Sequence, residues 1–238
     1  MAKISREKFK VWGNVFDEFT LRNLFKLEGK YFEELESPIA IGKEGNVFTA
    51  KARCEDKSPK KVIIKIYRLE SCDFNRMYDY IRVDSRYIGL KNRKREIVFA
   101  WAQREFRNLM KAREIGVRVP TPLHCMCNIL VLEMIGTDTP APKLKDAIPE
   151  NKEKFFKQVV EGMRKLHQNG MVHGDLSEFN ILNDNERPVF IDFSQSTQLK
   201  TPNSDELVER DIRNICRFFK KKGVKCDEQT MREDIEKK

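Results

Sequence analysis

The eight residues His173-Gly174-Asp175-Leu176-Ser177-Glu178-Phe179-Asn180, followed by the apolar run Pro188-Val189-Phe190-Ile191 that ends on Asp192-Phe193, restrict this chain more than any other stretch. A helix-like segment has to lead into a short polar loop, and a strand has to return a second carboxylate to the same place. Asp175 is positioned to accept the proton of an attacking hydroxyl or water, and Asn180 and Asp192 offer the hard oxygen ligands that Mg²⁺ prefers. Such a donor set suits phosphoryl transfer. An Asp-rich turn between helix and strand is common, so neither piece decides the matter alone. Their order, with a lysine-bearing strand upstream, carries the argument.

That upstream strand is Val62-Ile63-Ile64-Lys65-Ile66-Tyr67. An ammonium in an apolar strand is costly to bury unless paired, so a partner carboxylate and a phosphate are expected. An edge-strand lysine would read the same way. The partner is expected on a helix over Ile97–Arg113, where Ile97, Trp101, Glu105 and Leu109 share one i, i+4 stripe and Glu105 is its only charge. A surface glutamate at the edge of the apolar face is the alternative, and Glu96 and Glu114 are poorer candidates. Before the strand, Gly42-Lys43-Glu44-Gly45-Asn46-Val47 punctuates an alternating hairpin. The N–H groups of such a loop can face phosphates, although a plain β-turn fits two glycines about as well. Lys65 also fits the kinase Val-Ala-Ile-Lys pattern, which puts Ile63 where it would pack on adenine. In the apolar run ending at Gly136, the Glu133 carbonyl and the Ile135 N–H could hold the adenine edge, with an ordinary strand end as the alternative.

Around these motifs the chain reads as one large domain or two lobes, since 238 residues at 40% hydrophobic suffice for a proper core. Residues 9 to 35 read as an amphipathic helical arm with Val11, Val15, Phe19, Leu24, Phe25 and Leu27 on its apolar side. The stretch 72–94 sets Arg76, Arg82, Arg86, Lys91, Arg93 and Lys94 among Tyr78, Tyr80 and Tyr87, with little periodicity. It reads as a mobile basic loop that could bind RNA through phosphates and stacking, or simply stay solvated. Asn151–Asn169 is a strong helix that delivers the catalytic loop, and a last amphipathic helix is expected from Glu206 to Lys222. His167 and His173 read as structural, there being no third ligand to suggest zinc. The six cysteines are scattered and read as reduced, and the net charge of +9 suggests an acidic partner such as RNA. No apolar run approaches the roughly 18 residues of a membrane span, and no signal peptide is evident, so a soluble, cytoplasmic protein is expected.

Only 46 of the 238 residues follow Asp192. A conventional protein kinase needs roughly a hundred more there, for an activation segment and the helices that seat a peptide. Taken together, Gly42–Val47, the long insertion, Arg104-Glu105-Phe106-Arg107-Asn108-Leu109, Gly116-Val117-Arg118-Val119-Pro120, His173–Asn180 and Ile191-Asp192-Phe193-Ser194-Gln195 resemble the RIO family of atypical kinases, Rio1 type, from about Phe9 to Lys222. The compact length is similar to archaeal members.

That resemblance implies an α+β, bilobal, minimal protein-kinase-like fold with an N-terminal helical extension (1–36), an N-lobe (37–132) holding the basic insertion, and a C-lobe (133–238). It implies catalytic Asp175, metal ligands Asn180 and Asp192, and Lys65 paired with Glu105. It also implies nucleotide contacts along Gly42, Lys43, Glu44, Gly45, Asn46 and Val47 and at Ile63, with hinge contacts at Glu133 and Ile135. ATP with Mg²⁺ or Mn²⁺ would be used by a Ser/Thr kinase, with other proteins or itself as acceptor, or by an ATPase in which Asp192 is transiently phosphorylated. The implied setting is small ribosomal subunit maturation, with precursor particles and rRNA as partners. Gly45, where relatives often carry alanine, reads as a change that loosens the loop. Ser194, in place of the glycine of Asp-Phe-Gly, should disfavour the flip that inactivates many kinases. The rival readings are a ribosome-binding assembly factor that uses ATP only as a conformational switch, a Bud32-like kinase of tRNA modification, and an aminoglycoside-type phosphotransferase. The insertion and Ser194-Gln195 argue against the last two.

Overall fold

The computed structural model describes residues 16–53 and 61–237; Val11, Val15 and Cys54 lie outside them. The Asp17 carboxylate accepts the Thr20 N–H at 3.0 Å and so caps α1 (Glu18–Leu27). Gly29, in the left-handed region at φ +80°, ends the helical path, and β1 (Phe32–Ile41) follows at once. The helical reading of residues up to 35 is corrected here. Phe32 opens a strand because β1 pairs antiparallel, through several bulges, with β2 (Gly45–Ala52).

β3 (Lys61–Tyr67), β4 (Pro122–Met126) and β5 (Ile129–Glu133) complete a five-stranded antiparallel sheet ordered β1-β2-β3-β5-β4. The period-two pattern of β3 buries Val62, Ile64 and Ile66 and turns Ile63 and Lys65 to the other face. On the buried face, Leu21, Leu24 and Leu27 of α1 join Phe48, Ile64, Ile129 and Val131 in one core. Each such side chain contributes about 1.5–3 kcal/mol by burial.

The expected loop over 72–94 is largely structured. Asp73 accepts the Arg76 N–H at 3.1 Å, α2 spans Phe74–Arg82 with Met77 and Ile81 buried, and a 3₁₀ turn covers Ser85–Tyr87. Basic side chains occupy the exposed positions of a helix whose two inner residues are apolar.

The chain divides into two compact units. The first takes the described residues up to Arg82, Gly89–Gln103 and Pro122–Met134; the second takes Val83–Ile88, Arg104–Thr121 and Ile135 onward. A single cut after residue 132 is therefore too simple. The 21-residue helix α3 (Lys94–Glu114) contributes to both units, and Val83–Ile88 goes with its C-terminal part.

In the second unit, α4 (Lys152–Gln168), capped by the Asn151 side chain, leads to β6 (Met171–Val172), β7 (Ile181–Asn183), β8 (Pro188–Phe190) and β9 (Thr197–Gln198). β6 pairs with β9 and β7 with β8. A Cβ on Gly162 of α4 would lie 2.9 Å from the Phe190 ring, so glycine lets helix and strand approach closely. α5 (Ser204–Lys221) follows, and then α6 (Glu228–Glu236), a helix with no counterpart in the sequence reading, which buries Met231 and Ile235. Among the described residues no helix is long and apolar enough to cross a membrane. Cys72, Cys125, Cys127, Cys216 and Cys226 are all free thiols.

Candidate active site

The catalytic loop is assembled by hydrogen bonds that leave its backbone little freedom. His173 is buried; its Nδ1 accepts the Asp175 N–H at 3.3 Å, so Nε2 carries the proton and donates to the Ile191 carbonyl at 3.1 Å. One neutral imidazole thus ties the backbone N–H of one candidate acid, Asp175, to the residue before the other, Asp192, and the reading of His173 as structural holds. The Ile191 N–H donates to the Asn180 carbonyl at 3.0 Å, which closes the connection from the other side. The Asn180 amide nitrogen donates to the Asp175 carbonyl at 2.8 Å and to its carboxylate at 3.3 Å. With its NH₂ committed to Asp175, Asn180 presents its carbonyl oxygen as the remaining ligand atom.

Asp192 sits in the left-handed region at φ +63°, a strained place for a residue with a side chain, though one that Asp tolerates better than most. The Ser194 hydroxyl donates to its carboxylate at 2.7 Å. Downstream the chain turns inward: Ser194, Gln195 and Ser196 are all buried. The Ser196 carbonyl accepts from Asn108 Nδ2 at 2.8 Å and from Arg104 Nη2 at 3.1 Å, and Asn108 also donates to the Phe193 carbonyl at 3.0 Å. The C-terminal part of α3 therefore holds the segment where larger kinases carry an activation loop. Arg104 is fully buried and lies 3.9 Å from Asp84, which also takes a bidentate pair of bonds from Arg86. Burial opposes the Asp84 charge, but the Arg86 bonds outweigh it and hold the carboxyl below its ordinary value.

Asp211 of α5 did not figure in the sequence reading and is central to the site. Its two oxygens accept the N–H groups of Gly174, at 2.8 Å, and Leu176, at 2.7 Å, on either side of Asp175. Neighbouring Asn214 donates to the Leu176 carbonyl at 3.2 Å. Asp211 is 1% exposed, and burial pushes its carboxyl up to about 7 against the pull of the Gly174 and Leu176 N–H groups.

The remaining candidates distribute between the units. Gly42–Val47, Ile63, Lys65 and Glu133 belong to the first; Glu105, Ile135, Asp175, Asn180 and Asp192 belong to the second. Lys65 pairs in register with Val47 on β2 and lies 5.0 Å from the Tyr67 ring. Glu105 is 1% exposed on the stripe with Ile97, Trp101 and Leu109, so it is no surface residue, and a carboxylate buried that deeply calls for a counter-charge. Glu133 ends β5 opposite Val62, and the Ile135 carbonyl accepts the Ala141 N–H at 2.8 Å. Gly45 is no mere loosening: a Cβ there would lie 2.6 Å from the Ile66 carbonyl oxygen, so alanine requires β3 to shift.

The donor set fits a hard cation that keeps part of its shell for other ligands. Among the described residues no cluster of three or more His, Cys, Asp or Glu could hold a metal alone. One carboxylate and one amide oxygen on a rigid frame leave room for water and phosphate oxygens, as Mg²⁺ requires.

Comparison with known proteins points to one family. The RIO domain model, RIO1, matches residues 46–232. The RIO-type serine/threonine-protein kinase Rio1 of Methanocaldococcus jannaschii is 43% identical over 224 residues, 93% of this chain and 75% of that one. The Rio1 of Haloferax volcanii is 38% identical over 231 residues, 96% of this chain and 78% of that one. Among solved structures, the Rio2 kinase–ADP/Mg²⁺–phosphoaspartate complex from Chaetomium thermophilum superposes with a TM-score of 0.67 at 22% identity, covering 94% of this chain and 67% of that one. With the kinase-like fold, the domain match and these relatives in agreement, the chain belongs to the RIO family of atypical serine/threonine kinases and is of the Rio1 type.

Proposed function

We propose that the chain transfers the γ-phosphoryl group of ATP, with Mg²⁺ and in place of it Mn²⁺, to a protein Ser or Thr hydroxyl or to water. Asp175 serves as base, and Asn180 and Asp192 as metal ligands. The observation that carries this reading is the bonding of Asp175, Asn180 and Asp192 into one frame by His173, Ile191 and the Asn180 amide. A preorganised frame of this kind is worth more to a phosphoryl transfer than any single contact, because positioning and charge supply most of the catalysis. When bound, the metal neutralises charge on the phosphates. The chain's own residues do the rest: Asp175 orients the nucleophile and takes its proton, and Lys65 serves the phosphates. Gly42–Val47 cover the phosphates, while Ile63, Glu133 and Ile135 hold the base.

Asp192 offers a second acceptor. Its carboxylate oxygen would attack the γ-phosphorus, forming an acyl phosphate as the bond to the ADP oxygen breaks, and water would then release phosphate. The solved Rio2 complex holds a phosphoaspartate with ADP and Mg²⁺, which supports this route as an ATPase mode. We place the activity in maturation of the small ribosomal subunit, where the exposed Arg93, Lys94 and Arg95 would meet rRNA phosphates. The assembly-factor reading shares that partner but not the chemistry.

Single-turnover reaction with γ-labelled ATP, with and without small-subunit precursors, separates these outcomes. Stable label on Ser or Thr marks the kinase; stimulated phosphate release with a hydroxylamine-sensitive label on the protein marks the Asp192 route. Asp175→Ala should lower the transfer rate at least about 10³-fold while nucleotide binding is kept. Unchanged turnover in that variant would sink the assignment of the base.

A further inference from the structure

A loop that covers phosphates works only if its N–H groups face them, and a planar trans peptide then points the preceding carbonyls the opposite way. In Gly42–Val47 two of those carbonyls, of Lys43 and Glu44, are taken from behind by one short segment, Arg68–Cys72, which joins β3 to α2. The Ser71 hydroxyl donates to the Lys43 carbonyl at 3.0 Å. The Glu44 carbonyl accepts the Arg68 N–H at 3.1 Å and the Cys72 thiol, also at 3.1 Å. Arg68 Nη2 adds a bond to the Asn46 side chain at 3.2 Å. With the Lys43 and Glu44 carbonyls held at the back, planarity turns the N–H groups of Glu44 and Gly45 to the front.

We propose that Ser71 and Cys72 are positioning residues for the nucleotide phosphates, acting through the Lys43 and Glu44 carbonyls rather than by touching the ligand. This rests on the kinase reading of the loop. Cys72 suits the task because it is buried and also lies 2.8 Å from the Arg68 carbonyl, so its one hydrogen is shared between two carbonyl acceptors. Burial, reinforced by Glu44, pushes the thiol up to about 12, so it stays protonated and remains a donor at neutral pH. Ser71 is exposed, and its bond to Lys43 has no evident use in packing the core. Both residues sit in the turn that starts α2, where the Phe74 N–H returns to the Cys72 carbonyl at 3.0 Å. The phosphate loop is thereby bonded to the first turn of the basic insertion.

The test compares Mg²⁺-ATP with adenosine, which lacks the phosphates, by titration calorimetry on the full chain. The double variant Ser71→Ala/Cys72→Ala should bind ATP about tenfold more weakly, while adenosine affinity changes less than about twofold. Cys72→Ser, which keeps an O–H donor, should restore ATP affinity to within about twofold of wild type. Ser71→Ala alone removes an exposed contact, so the fold survives, and should cost about threefold for ATP only. Equal losses for ATP and adenosine would make the segment merely structural, and unchanged ATP affinity in the double variant would overturn the proposal outright. If the wild-type chain binds adenosine and ATP equally poorly, the kinase reading fails first, an outcome distinct from either.

Discussion

The loop that bears Asp175 and the loop that would cover the phosphates are held in opposite ways. The first is bonded by polar side chains that are almost wholly buried: Asp211 on Gly174 and Leu176, His173 between Asp175 and Ile191, Arg104 and Asn108 on the segment after Asp192. The second is held through the carbonyls of two exposed residues, Lys43 and Glu44, by an exposed hydroxyl, a buried thiol and one backbone N–H, with the Arg68 guanidinium on the Asn46 side chain. Removing a buried polar partner strands groups that water cannot reach, whereas removing a donor from the carbonyl of an exposed residue leaves an acceptor that water can serve. Damage to the catalytic loop should therefore appear in stability and kcat together, and damage to the phosphate loop in KM for ATP.

The largest effect that would sharpen this contrast is Asp211→Ala. It leaves the Gly174 and Leu176 N–H groups buried and unpaired, which should cost about 3 kcal/mol in urea unfolding and at least about 10²-fold in kcat. A loss under about 1 kcal/mol would mean that the loop is held by its own turns. The same residue makes a pH prediction. Folded Asp211 keeps its proton up to about pH 7, whereas an unfolded Asp loses it near 4, so between those values the folded state binds more protons. Stability should then fall as pH rises through that window, by about 1.4 kcal/mol per unit, and level off above it. Asp211→Asn should lack that slope, and parallel pH curves for the two proteins would refute the assignment.

Asn108→Ala comes next. It frees the Phe193 and Ser196 carbonyls but leaves Arg104 on Ser196, so the expected cost is about 1–2 kcal/mol with roughly a tenfold loss of kcat and little change in KM for ATP. A rise in KM with kcat intact would erase the distinction between the two loops.

What could be read ahead of the structure follows the same division. Asp175, Asn180 and Asp192 lie within one stretch of chain at set spacings, so local pattern reveals them. Glu105 emerged as the one charge on an apolar i, i+4 stripe, and its burial bears out that logic. The identical rule applies to α5, where Leu207, Asp211 and Ile215 form such a stripe, so Asp211 was within reach of the reading that found Glu105. Its partners were not, because Gly174 and Leu176 lie 37 and 35 residues away and offer only backbone N–H groups. Helix α2 was mistaken for loop because only Met77 and Ile81 are buried in it, although Asp73 ahead of Phe74 is an N-cap signal. The Ser71 and Cys72 contacts leave no pattern in sequence, since they join a turn to another turn's carbonyls.

The smallest effect concerns Ser194, at the boundary between rigid frame and ligand. Its hydroxyl bonds an Asp192 carboxylate that already sits at φ +63°, and its backbone is itself buried under the bonds of Asn108 and Arg104 to Phe193 and Ser196. If the segment is fixed mainly by those buried bonds, the hydroxyl only trims the carboxylate's orientation. Ser194→Ala should then weaken activation by Mg²⁺ about threefold, as for one lost neutral hydrogen bond, and Ser194→Gly should do no worse because the backbone has no freedom to exploit. If Ser194→Gly instead lowered Mg²⁺ activation ten times further than Ser194→Ala, the missing Cβ would be what keeps Asp192 in place. The frame would then be no more rigid than the phosphate loop, and the contrast between the two regions would fail where it matters most, at the metal ligand.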